Sequence, residues 1–128
     1  MPEPRQLLID GSRFEDLEGF WDEVERTWAV TPGSWGRNVD AFEELAHSTP
    51  EGSVVRWIDA ARSRTVLGHP ATVQWLEQRL PKVHPSNRAE FSKRLEHARQ
   101  ARGETLFDML IDVLESAPAA FELIEGRS

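Results

Sequence analysis

The sequence predicts an α/β fold, a small three-stranded parallel sheet packed with helices, with a helical insertion at about 65–103. Three observations lead there. Three short aliphatic and β-branched runs, Gln6–Asp10, Ser53–Ile58 and Phe121–Ile124, are separated by stretches whose apolar residues recur every three or four positions, and strands alternating with helical patterns mark a layered parallel sheet. A length of 128 residues suits one domain. A composition that is 39% hydrophobic, with five Trp and six Phe, supplies the apolar surface a packed interior needs.

Taken in order, Gln6-Leu7-Leu8-Ile9-Asp10 closes on Gly11 and reads as a buried strand ending in a turn. Ser12-Arg13-Phe14-Glu15 has capping-box spacing, so the first helix is expected to start there and to run to about Trp28 on a stripe of Phe14, Leu17, Trp21, Val24 and Trp28. Thr31-Pro32-Gly33-Ser34 breaks it. A second helix then places Val39, Phe42, Leu45 and Ala46 on one face and ends near His47. The second strand, Ser53–Ile58, leads into a short helical turn over Asp59–Arg64. Two polar helices follow, Thr72–Leu80 stopping at Pro81 and Ser86–Arg102 before Gly103. The stretch Glu104–Ser116 is more apolar, and a break at Pro118 precedes the last strand. Trp21, Trp28, Trp57 and Trp75, at helical or strand spacing, are expected in the core.

Charge and composition exclude several classes of function. No apolar run approaches a membrane span, and the N-terminus lacks a charged-then-apolar secretory pattern, so a cytoplasmic protein without membrane contact is expected. Without cysteine there is no thiolate nucleophile, disulfide framework or cysteine-ligated metal. His69, His84 and His97 lack ligand spacing and His47 is isolated, so neither a metal nor a cofactor is expected. No Gly-rich phosphate loop or Ser-His-Asp arrangement is present, and Asp40 with Glu44, one helical turn apart, is a pairing most helices contain rather than a glycosidase pair; an enzyme is not expected. The net charge is −7, unevenly spread: between Arg79 and Arg102 seven basic residues face only Glu90 and Glu96, a surplus of five that leaves −12 for the remainder. An acidic body is suited to meeting a basic protein. The basic stretch reads as a solvated helical face with no aromatic platform beside it, so direct nucleic-acid binding is not expected.

The most informative stretch is Ser34-Trp35-Gly36-Arg37-Asn38-Val39-Asp40-Ala41-Phe42-Glu43-Glu44-Leu45, an aromatic-Gly-x-Asn turn entering an acidic helix. It resembles the segment most typical of the barstar-like family, inhibitors of the secreted ribonuclease barnase, and the element order over about 6–64 and 104–126 is similar to that family's fold. The resemblance implies a non-catalytic immunity protein, a monomer binding one to one, that plugs the active site of a cationic ribonuclease or related toxin nuclease with carboxylates in place of substrate phosphates. It places Asp40 as the main anchor, with Glu44 replacing the usual Asp one methylene further out. Trp35 matches the second aromatic of the family's Tyr-Tyr-Gly turn, while Ser34 replaces the first. Arg37 and Glu43 stand where the family has an acid and a Trp, His47 and Ser48 lie where its binding loop begins, and Asp112 aligns with a peripheral acidic contact. Asn38 is expected to start the helix. These departures imply a different cognate enzyme.

The residues alone leave blander readings open. Asp40, Glu43 and Glu44 complement the helix dipole whatever the function, and Trp35 is as suited to core as to contact. A rival from another class is an interaction or regulatory module that binds a non-nuclease partner through the 65–103 insertion; a third is an RNA-binding regulator using the basic helix.

Overall fold

In the computed structural model, which describes residues 3–127, the chain runs β1 (Gln6–Asp10), α1 (Leu17–Thr27), α2 (Val39–His47), β2 (Val54–Ile58), α3 (Ala60–Val66), α4 (His69–Arg79), α5 (Arg88–Arg99), α6 (Leu106–Ser116) and β3 (Ala120–Leu123), with two 3-10 turns between α4 and α5. The fold is α/β, with a three-stranded sheet in the order β1-β2-β3. Both pairings are parallel: Leu7 faces Val55 and Ile9 faces Trp57, while Val55 faces Phe121 and Trp57 faces Leu123.

Residues two apart on a strand share a face, so Leu7, Ile9, Val55 and Trp57 are buried together while Leu8 and Arg56 point away. Trp57 centres the core. Its ring stacks on Phe20 at 5.2 Å and meets the edge of Phe107 at 5.2 Å, and its indole N–H donates to Ser63 Oγ at 2.9 Å. Phe42 of α2 joins the same aromatic cluster through Phe20, Trp21 and Trp28. A buried carboxylate ties α1 to the sheet: Glu23 accepts the Asp10 N–H at 2.9 Å and the guanidinium fork of Arg26 at 3.0 and 2.9 Å.

The helix pair α4–α5 has a small cluster of its own, Leu76, Leu95 and Ala98, flanked by Val73, Leu80 and Phe91. It is joined to the main body where Thr72 Oγ1 accepts the Leu106 N–H at 2.9 Å and the Leu67 carbonyl accepts the Phe107 N–H at 3.1 Å. Trp21, Trp28 and Trp57 are buried as expected. Trp75 departs from the expectation: half-buried, it packs against both clusters instead of lying within one.

Several boundaries differ from the sequence reading. Ser12 does not cap α1, because its N–H and hydroxyl are both held by Asp10 Oδ1, at 3.0 and 2.7 Å. Asp16 caps instead, accepting the Gly19 N–H at 2.7 Å, and Phe14 is buried ahead of the helix. The fourth helix begins at His69 rather than Thr72, since Pro70 sits in the first turn, where a missing N–H costs nothing. The fifth begins at Arg88 and ends at Arg99 rather than spanning 86–102; Ala101 and Gly103 beyond it have φ of 56° and 80°. No helix among the described residues is long and apolar enough to cross a membrane.

Candidate functional site

The acidic helix α2 is set in place by the turn before it, and that turn is locked to α1. Trp35 is half-buried, edge-on to Trp21 at 5.4 Å, and its indole N–H donates to Glu25 Oε2 at 2.8 Å. Arg37 takes a left-handed φ of 51° and reaches back to three carboxylates of α1, Glu18 at 3.2 Å, Asp22 at 2.8 Å and Glu25 at 3.4 Å. Partial burial works against its charge, but the bond to Asp22 and the surrounding acids outweigh it and hold Arg37 more firmly protonated than usual. Arg37 is thus a structural clamp, and Trp35 presents only part of its ring. Asn38 then caps α2 with its side-chain oxygen on the Ala41 N–H at 2.8 Å, as its place before the helix implies.

Phe42 and Ala46 bury the inner face of α2. The outer face carries Asp40, Glu43, Glu44 and His47, all exposed. Among the described residues none of the three carboxylates takes part in an ion pair. His47 Nδ1 donates to the Glu43 carbonyl at 2.9 Å, and Ser48 Oγ donates to that of Leu45 at 2.9 Å, so both close the helix end. Acids at i and i+4 repel within an isolated helix. This face therefore gathers negative charge that no ion pair among the described residues compensates.

Asp112 lies apart from this group. It projects from α6 into a shallow groove with Glu104, Asp108, Glu115 and Arg64, to which no residue of α2 contributes. Burial, a hydrogen bond shared with Asp112 and that group's charge together raise the Glu104 carboxyl above its ordinary range. Among the described residues no three His, Asp or Glu side chains are grouped so as to hold a metal ion.

A larger cleft of about 870 Å³ opens where Arg37 and Asn38 face the α4–α5 pair. Its helix-pair wall brings Trp75 and Phe91 together with Arg79, Lys82 and Arg94. The Arg79 guanidinium lies 4.7 Å over the Trp75 ring and that of Arg94 5.2 Å from the Phe91 ring. Two aromatic rings thus stand against the cations of a stretch for which no aromatic platform was expected. Trp75/Arg79 and Phe91/Arg94 are four and three residues apart in sequence, the neighbour spacing on a helix, which was the local signal for it.

Compared with models of known families and with curated proteins, the sequence matches none.

Proposed function

We propose that this chain is a stoichiometric, non-catalytic inhibitor with a barstar-like fold, an immunity protein that acts in the cytoplasm by occluding the active site of a cationic ribonuclease or related toxin nuclease. The observation that carries the reading is the outer face of α2, where Asp40, Glu43 and Glu44 stand exposed with no ion-pair partner among the described residues. Support also comes from the parallel β1-β2-β3 sheet, the position of the acidic helix between β1 and β2, and the locked turn that precedes it.

Inhibition needs only complementarity. A nuclease active site built to hold phosphates offers Arg and Lys donors, and carboxylates fixed on a helix meet them with little ordering left to do. Asp40 anchors, and Glu44 reaches the same cationic pocket from the next turn. Asn38, Trp35 and Arg37 act through the turn that aims them, Glu43 and His47 flank the anchor, and Asp112, from its separate groove, contributes only at the periphery. Long-range attraction between acidic helix and basic enzyme steers the encounter, so association slows as salt shortens the Debye length from ~10 Å at 0.1 M.

The experiment is capture of a nuclease from the producing organism's lysate and secretome, followed by an inhibition titration with the native chain and with Asp40→Ala/Glu44→Ala. One-to-one inhibition that the double variant weakens by about a hundredfold or more is expected from the loss of two charge-assisted bonds. Inhibition indifferent to both residues removes α2 from the interface.

A second reading places a non-nuclease partner on the 65–103 segment, and the separate hydrophobic cluster of α4–α5 favours it. There, charge reversal at Lys93, Arg94 and Arg99 abolishes binding and the α2 double variant does not.

A further inference from the structure

The cleft facing α4–α5 is unlike the rest of this acidic surface. Elsewhere most arginines are neutralised by a carboxylate: Arg26 by Glu23, Arg56 by Glu122, Arg64 by Glu125, Arg127 by Asp10 and Asp59. Arg79, Lys82 and Arg94 enter no ion pair among the described residues, although the chain has 22 acidic side chains to 15 basic ones. Two of the three are held by rings instead. An aromatic face restrains a guanidinium without cancelling its charge, and although Arg94 Nη2 also donates to Met109 Sδ at 3.8 Å and Glu90 stands on the same wall, the remaining N–H donors of the two guanidiniums are left for an anion from outside.

The opposite wall has the other sign. Asp16 and Glu18 line it, and its one cation among the described residues, Arg37, is already paired with the carboxylates of α1. A ligand charged along its whole length is repelled from that side; one with a single anionic end and a neutral, flat, hydrogen-bonding end is not. On the helix-pair side, the amides of Gln74, Gln78 and Asn87 also line the cleft and offer donors and acceptors for such an end, and a volume of about 870 Å³ falls in the ~300–1,000 Å³ range of small-molecule sites. We propose that this cleft binds a free mononucleotide, its phosphate on Arg79, Lys82 and Arg94 and its base against the Trp75 and Phe91 wall, where flat bases stack on rings and guanidinium planes.

The site does not depend on nuclease inhibition. The test is isothermal titration calorimetry of the full chain at low salt with AMP, GMP, CMP and UMP, and with inorganic phosphate and a hexauridylate RNA in parallel. Saturable one-to-one binding of at least one mononucleotide is expected, tighter than inorganic phosphate. Arg79→Ala, Arg94→Ala and Lys82→Ala should each weaken it by about tenfold, while Asp40→Ala/Glu44→Ala leaves it unchanged. No saturable binding, equal affinity for inorganic phosphate, or indifference to all three cleft substitutions overturns the proposal. Tighter binding of the hexauridylate than of every mononucleotide overturns it in favour of RNA.

Discussion

At the carboxyl end of β1, Asp10 is almost buried, and its carboxylate takes the Ser12 N–H and hydroxyl at 3.0 and 2.7 Å and the Arg127 guanidinium at 3.2 and 3.3 Å. Burial taken alone raises the carboxyl's pKa, but the bonds from Arg127 and Ser12 and the charge of Arg127 together outweigh it and pull it down to about 2. In the unfolded chain Asp titrates near ~3.9. The folded value is the depressed one, so the native state binds the proton less well than the unfolded state does. The stabilisation is therefore complete above about pH 4 and disappears as the pH falls through about 2. A shift of this size corresponds to roughly 2.5 kcal/mol, and solvent screening around the exposed Arg127 brings the expected contribution to about 1–2 kcal/mol. Asp10→Asn isolates it, since the amide oxygen still accepts from Ser12 while the charge is gone. Urea denaturation followed by fluorescence of the buried tryptophans, at pH 7, 4, 3 and 2, should show the variant less stable by that amount at pH 7 and converging on the parent at about pH 2. Every other carboxylate is common to both proteins, so the difference between the two curves is the quantity to read. Parallel stability curves, or no loss at pH 7, refute the linkage.

Glu23→Ala should cost about 2 kcal/mol in urea denaturation by orphaning the buried Asp10 N–H; Glu23→Gln should cost less, since its amide oxygen keeps that bond while the exposed Arg26 returns to water. Gly11→Ala should destabilise by at least ~1–3 kcal/mol, because its methyl would lie 2.5 Å from the Asp59 carbonyl oxygen and 2.8 Å from that of Ile58, and calorimetric melting will read it. Leu95→Ala removes a residue only 5% exposed from the small α4–α5 cluster. A local loss of about 2–4 kcal/mol is expected, seen in hydrogen exchange as lost protection in α4 and α5 with α1 and α6 unchanged.

Local pattern was enough to recognise most elements. The strand Gln6–Asp10 matches its expected bounds, Asn38 caps α2, Trp21 and Val24 of the α1 stripe are buried and so is the apolar stripe of α6, because periodicity and capping are written in residues a few positions apart. The misplaced start of α1 has the same origin seen from the other side: Ser12 and Asp16 are both competent caps, and the contest was decided by Asp10, which lies outside the capping window. The candidate site divides likewise. That Asp40, Glu43 and Glu44 share a helix was legible in their spacing. That Arg37 is consumed by Glu18, Asp22 and Glu25, that Trp35 is tied to Glu25, and that Asp112 belongs to another groove were decided by tertiary contacts. Composition likewise fixed a net charge of −7, but not which charges remain uncompensated. Sequence spacing determines which side chains share a face; only packing, which brings residues tens of positions apart within 3 Å, determines which of them are already satisfied and which are left for a partner.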